Sequence, residues 1–339
     1  MDTEYNKVTS VECLGEVDDY VYDISIKDGD PFFFGNDILL HNTDSIYFSS
    51  YPVMKDLPDF KDFGWAKEDV VTLYDQIADL TNQSFPEFMK QAFNIPLNRG
   101  EVIRAGRELC ATRGLFITKK RYAVMIFDKE GKRKDVGDKP GEIKVMGLDL
   151  KRSDTPKPVQ DFLFSVLTAV LEDRPQEDVF EMIKLFRQEF TNWPSWAKGS
   201  PKRVNNLTQY GMIKKSMESV EVFGNKQREV KKKTIPGHVL GALNWNNLRE
   251  IFNDNASVKI QDGFKVIVCR LKPNPMGLHS VAYPVDQLIL PDWFKSLPFD
   301  DEFMADTLID RKLGNLLGVL DWDLSRAKNN SSFDSMFEF

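Results

Sequence analysis

Along the 339 residues the apolar positions change their spacing several times. Through residue 41 they come in short runs, 8–13, 20–26, 32–34 and 38–40, broken by turn residues such as Lys27-Asp28-Gly29-Asp30-Pro31, a pattern that predicts short strands. That is too little chain for an independent core, so these strands are expected to need a partner to complete their sheet. A further strand is expected over 45–49. After a Pro/Asp-rich connection, Val70, Leu73, Tyr74, Ile77 and Leu80 keep helical spacing, and Pro86 is expected to end or kink that helix. Two β-branched and aromatic segments, 102–110 and 115–127, predict an antiparallel pair with a turn at Lys129-Glu130-Gly131-Lys132 beyond it. From residue 156 the spacing turns helical, over 156–172, 176–190 and 239–252, before a strand over 264–271. Helices and antiparallel strands in this order predict an α+β fold, and no internal repeat is visible.

Composition narrows the class. With 42% hydrophobic and 29% charged residues, 25 Phe and 6 Trp, the chain is globular, and its length suits one large core or two to three ordinary ones. Cys13, Cys110 and Cys269 are far apart and, with three histidines, give no zinc spacing, so a reducing cytoplasm is expected, that of the host cell if the source is viral. The first residues lack a basic and an apolar signal region, and no apolar run approaches the roughly 18 residues that span a bilayer, so neither secretion nor a membrane partner is expected. The net charge of −7 is unevenly spread: residues 114–160 hold twelve Lys/Arg against seven Asp/Glu, which makes that stretch +5 and the rest −12. Such a basic stripe is either a solvated surface or a footprint for nucleic acid.

Two chemistries meet at residues 41–45. An Asn side-chain amide can attack its own backbone carbonyl and cut the chain after itself, provided that a neighbouring imidazole protonates the leaving amine. A Thr hydroxyl immediately downstream can hold an acyl group as an ester before that cut. His41-Asn42-Thr43 supplies all three groups. The segments VTSVECLGE, VYDISI and FFFGNDILLHN, followed by Thr43, resemble in order and spacing the C-terminal region of an intein. The resemblance covers residues 8–43. It implies that His41 assists cyclisation of Asn42 and that Thr43 is the branching nucleophile; an upstream His of the family is replaced by Asp30. Because the N-terminal intein half is absent, residues 1–42 look like a C-terminal split-intein fragment whose partner is a second polypeptide.

Thr43-Asp44-Ser45-Ile46-Tyr47 resembles the latter part of the Asp-Thr-Asp-Ser turn in the palm of family B DNA polymerases, with its first Asp missing. A carboxylate on a tight turn is suited to holding Mg²⁺ against a triphosphate and a primer 3′ hydroxyl. TKKRYA, 118–123, resembles the family's Lys-x-Tyr motif, and KVMGLDLKRSDTPKPVQ, 144–160, resembles the palm-to-thumb segment of T-even-like phage enzymes. The resemblance implies DNA contacts by Lys119, Lys120, Arg121, Tyr122, Lys144, Lys151 and Arg152. It also implies metal binding by Asp44, with Glu108 of AGRELC as an accessory carboxylate; the Asp that accompanies it in the family is Gly106 here. GHVLGALNWNN, with His238 and Asn244, resembles a thumb segment. SSFDSMFEF resembles a tail that holds a sliding clamp, which implies clamp contacts by Phe333, Met336, Phe337 and Phe339.

The expected organisation is therefore a split-intein piece over 1–42, the end of a polymerase palm over 43–140, a mainly helical thumb over 141–330 and a clamp-binding tail over 331–339. The implied function is template-directed addition of dNTPs to a primer after trans-splicing to a separate N-terminal fragment, with Mg²⁺, primer-template DNA, dNTP and a sliding clamp as partners. Two rivals stay open at this level: a DNA-binding or processivity module that performs no catalysis, and a self-processing protein with an inert flank.

Overall fold

The computed structural model describes residues 46–56, 66–100, 104–212 and 235–327, together with the backbone of 32–35 and 38–41. The chain divides into two compact units, Met1–Cys110 with Asp128–Lys132, and Ala111–Phe127 with Arg133–Phe339. The described parts combine helices with antiparallel sheets, the α+β class expected from the pattern.

In the first unit, β1 (Phe32–Gly35) and β2 (Ile38–His41) form an antiparallel hairpin. Phe32 is opposite His41 and Gly35 opposite Ile38. The strands expected at 8–13 and 20–26 lie outside the described residues. The strand expected at 45–49 does not form over its described part: residues 46–50 join no ladder. Ser50 instead donates its amide to Tyr74 Oη at 3.0 Å, Phe48 meets the Tyr74 ring edge-on at 5.3 Å, and the chain enters a helical turn, Tyr51–Met54. Pro52 explains the switch, since it lacks a ladder donor and its fixed φ suits the first helical turn.

Helix α1 (Lys67–Phe93) carries the predicted apolar spacing. Asp69 Oδ2 accepts the Ala66 amide at 3.0 Å, and Glu68 and Asp69 complement the positive end of the helix. Of the two outcomes expected at Pro86, the helix does not end there: it continues to Phe93 and stops at Asn94, which adopts the left-handed conformation at φ 51°. The turn around Pro86 is held by buried Phe85 and Met89, and by Gly100, where a Cβ would fall 2.5 Å from Pro86 Cα. The described part of the strand expected at 102–110 is irregular until Leu109. Its backbone is bonded elsewhere: Ala105 exchanges two hydrogen bonds with the Asn82 side chain, at 2.7 and 2.9 Å.

The predicted run 115–127 is two strands. Strand β3 (Leu109–Thr118) turns at Lys119-Lys120 into β4 (Arg121–Lys129), which pairs with β3, with β5 (Lys132–Arg133) and with β6 (Glu142–Met146). The second turn falls where expected, with Glu130 and Gly131 both at positive φ, 50° and 78°, as a two-residue type I′ hairpin requires.

The second unit has two cores. In the first, Ala123, Met125 and Val145 of the sheet pack on α2 (Lys157–Leu171) and α3 (Gln176–Thr191). Val159, Leu163, Val166 and Leu167 make one stripe of α2, and Phe162 stacks on Phe186 of α3 at 3.9 Å. In the second core, β7 (Ser200–Arg203), β8 (Lys265–Arg270) and β9 (Ser280–Pro284) form an antiparallel sheet under α4 (Gly237–Ile251). A Cβ on Gly241 would lie 3.2 Å from the Ala282 amide nitrogen, so the missing side chain permits this close packing. A long helix joins the two cores: α5 (Asp301–Ala305), a π-helical turn Asp306–Asp310, and α6 (Arg311–Leu317). Met304 belongs to the sheet core, whereas Leu308, Ile309 and Leu313 belong to the helical one. Cys110 and Cys269 are free and buried, and burial pushes both thiols up. Among the described residues no helix is long and apolar enough to cross a membrane.

Candidate nucleic-acid interface

Most of the predicted cationic residues converge at one end of the β3–β4–β6 sheet. Lys120 takes a left-handed φ of 62° at the hairpin tip, which leaves Lys119 and Lys120 exposed with no ion pair to either among the described residues. The tip is fixed from below by Gly147. Its own φ is 62°, and a Cβ there would lie 2.3 Å from the Lys120 carbonyl oxygen, so only glycine allows the two loops this close. Arg121 Nε donates to the Gly147 carbonyl at 3.3 Å.

The register places the next residues. Tyr122 is opposite Met146 and Val124 opposite Lys144, so Tyr122, Met146 and Lys144 share one face of the sheet, while Ala123 and Val145 take the other and enter the core. The Tyr122 ring stacks on half-exposed Phe116 at 5.7 Å. Aromatic surface beside ammonium and guanidinium groups suits sugar or base contacts next to phosphates.

Beyond Gly147 the chain makes a 3₁₀ turn, Asp149–Lys151, that presents Lys151 and Arg152. Arg152 is oriented rather than loose: its Nε and Nη2 donate to the two oxygens of Asp154 at 3.1 and 3.0 Å. Lys202 Nζ adds a bond to Asp154 Oδ2 at 2.7 Å. Burial alone would raise the Asp154 carboxyl, but the bonds from Arg152 and Lys202 outweigh it and hold the group down at about 2. Helix α6 closes the site: Asn315 Nδ2 donates to Asp149 Oδ2 at 3.2 Å, and Lys312 lines a small pocket with Arg121 and Asp149. Burial lowers the Lys312 ammonium, with Asp149 and Asp154 opposing that shift.

Lys202, Lys312 and Gly147 were not among the sequence-predicted site residues. Gly147, between a strand and an Asp-Leu-Lys turn, carried a legible signal as punctuation. Lys202 and Lys312 carried none, because only the fold brings them to the 144–154 segment. Asn244, by contrast, is buried and structural, its Nδ2 bonded to the Ser280 carbonyl at 2.8 Å.

Glu108 belongs to the first unit, where its carbonyl accepts the Glu130 amide at 3.0 Å. Beside it, Arg107 bonds Asp75 at 2.7 Å and Asp128 at 2.5 Å. Burial works against the charged guanidinium, yet these two carboxylates raise it above its ordinary value. Among the described residues no three carboxylate, His or Cys side chains converge as a metal site. His41 is the last residue of β2, and Asn42, Thr43 and Asp44 lie outside the described residues, as do Phe333, Met336, Phe337 and Phe339.

No family model matches the chain. It is 28% identical over 172 residues to a DNA-directed DNA polymerase of Enterobacteria phage T4, an alignment covering 50% of the chain and 17% of the relative. It is 27% identical over 286 residues to a DNA-directed DNA polymerase of Escherichia phage RB69, covering 79% of the chain and 28% of the relative. A DNA polymerase of Thermococcus aggregans is 26% identical over 190 residues, 56% of the chain and 8% of the relative. The chain thus spans well under a third of the length of each of these relatives. Over about half its length or more the chain is similar to DNA polymerases of phages and of Thermococcus.

Proposed function

We propose that this chain is the C-terminal part of a family B DNA polymerase, palm end plus thumb, made as a precursor behind a C-terminal split-intein piece and active only after trans-splicing to a separate N-terminal fragment. The observation that carries the polymerase reading is homology to DNA polymerases that extends over 79% of the chain yet covers only 28% of the relative's length. The basic hairpin tip, with Tyr122 beside it and Arg152 oriented by Asp154, supports a duplex-facing role for the same segment. The splicing reading rests on the His41-Asn42-Thr43 sequence at the end of the β1–β2 hairpin.

The proposed splicing chemistry balances within these residues and the partner. The Thr43 hydroxyl attacks the carbonyl carbon of the partner's last polymerase residue; the bond from that carbonyl to the nucleophile of the partner's intein half breaks, the intein half leaves with the hydroxyl proton, and the acyl group is held on Thr43 as an ester. The Asn42 side-chain nitrogen then attacks the Asn42 carbonyl carbon, the Asn42–Thr43 peptide bond breaks, and His41 protonates the departing Thr43 amine. That freed amine captures the acyl group from its own side chain as a peptide bond. Asp44 then follows an Asp supplied by the partner, and the two complete the carboxylate turn to which the resemblance assigns Mg²⁺. Division at that turn keeps polymerisation off until ligation. The clamp-binding role of Phe333, Met336, Phe337 and Phe339 belongs to the same proposal.

The test is co-expression with the fragment encoding a family B palm and fingers followed by an N-terminal intein half. The expected result is a ligated product, identified by mass, that extends a primer, while the chain alone does not; Asn42→Ala should leave the intein piece attached. Nucleotide incorporation by the isolated chain, or full activity of the ligated Asp44→Asn product, contradicts the proposal.

A further inference from the structure

The second unit holds a cleft of about 230 Å³ between β7, β8 and the helix that carries the π turn. Its floor is apolar, with Val268, buried Cys269, Met304 and Leu308, and it contains one unanswered polar group: Thr307 Oγ1 is buried without a hydrogen-bond partner among the described residues. The π turn itself displays Thr307 there, and such turns interrupt a helix at some cost in backbone geometry. The rim is cationic. Arg270 is exposed, makes no ion pair among the described residues, and lies over the Phe303 ring at 5.0 Å; Lys202 and half-buried His238 also line the cleft. The carboxylates near this rim are already engaged, Asp154 by Lys202 and Arg152, and Asp306 by Arg311 at 2.8 Å.

We propose that the occupant of this cleft is the chain's own C-terminal segment, residues 331–339, docked intramolecularly in a reversible, self-covering state. Three observations carry it. The segment SSFDSMFEF has three phenyl rings, two carboxylates and no cation, the complement of an apolar floor with a basic rim. In an extended chain Phe333, Phe337 and Phe339 share one face and Asp334 and Glu338 the other, so rings can enter while an acid meets Arg270. The segment also reaches. The described chain ends on α3, where Arg326 pairs with Glu177 at 3.7 Å, and ten residues along the same helix Arg187 pairs with Asp310, one turn from Thr307. That is roughly 15 Å of helix, whereas the twelve residues 328–339 extend to about 40 Å. Docking satisfies the Thr307 hydroxyl by a hydrogen bond to the segment and removes its rings from water. It also withholds the segment from any other protein that binds it. This proposal does not depend on the polymerase reading.

The experiment places a photo-crosslinking p-benzoylphenylalanine at Phe337 in the full chain and maps the products by peptide mass spectrometry over a range of dilutions. The expected product is intrachain, at a yield independent of concentration, and joins residue 337 to peptides containing 268–270 or 303–308. Arg270→Glu, a surface change whose fold is checked by circular dichroism, should lower that yield at least fivefold, and Glu338→Arg in the same chain should restore it. Crosslinks that map elsewhere, scatter over the surface, fall with dilution or ignore the charge exchange overturn the proposal.

Discussion

At the scale of single residues, the interface depends on two that contact no ligand in any reading. Gly147 combines a positive φ with a carbonyl 2.3 Å from where a Cβ would sit. Gly147→Ala should therefore cost about 2 kcal/mol or more in urea unfolding. Gly131→Ala, at φ 78° with open space around it, should cost only about 1 kcal/mol. Equal losses at the two sites would show that crowding at the hairpin tip is unimportant. Asp154 gives a pH signature. Because its folded carboxyl lies at about 2 against an ordinary 3.8, the stabilisation it confers is complete above about pH 4 and fades as pH falls toward 2. Asp154→Asn should flatten the acid limb of the stability profile in that window, and an unchanged limb would remove Asp154 from the account. Lys119, Lys120, Arg121, Tyr122, Lys144, Lys151 and Arg152 were singled out by the resemblance of their segments to a family, and all fall in the basic stretch 114–160. Lys202 and Lys312 were hidden, since sequence separation conceals what β7 and α6 deliver to the same place.

Elements were legible in proportion to how much of their stability is local. The amphipathic stripes of α2, α3 and α4 and the strand β8 fall within a residue or two of their predicted bounds. The misreadings were all at points where a side chain overrides the backbone pattern. Tyr74 captures Ser50, Asn82 captures Ala105, and the Lys119-Lys120 turn, closed by Gly147, splits a run that reads as one strand. Pro86 survives inside α1 because packing on both sides of it outweighs one lost hydrogen bond. The joint of α4 with β9 tests the same principle. Asn244→Ala strands the Ser280 carbonyl in a buried setting and should lower stability by about 1–3 kcal/mol without altering the basic surface. A change below 0.5 kcal/mol in thermal or urea unfolding would mean that Gly241 and Trp245 hold the joint alone.

For the whole molecule, a net charge of −7 coexists with a basic stretch over 114–160, and the distribution rather than the total governs association with a polyanion. Under the proposed function, replacing Lys119 and Lys120 by Ala in the ligated product should reduce the salt dependence of primer-template binding by about two phosphate contacts, roughly 0.9 in slope for each. An unaltered slope would place the duplex elsewhere. The fold class was readable from periodicity, which sees helices and antiparallel strands alike. The π turn at 306–310 has a consequence for inheritance. It is equivalent to one residue added within a helix whose upstream end serves the sheet core and whose downstream end serves the helical core and Asp149. Removing that residue would swing Lys312, Leu313 and Asn315 by about 100° relative to Met304. Insertions and deletions there should be purged from any lineage that keeps both cores, while substitutions at exposed Val319 drift freely.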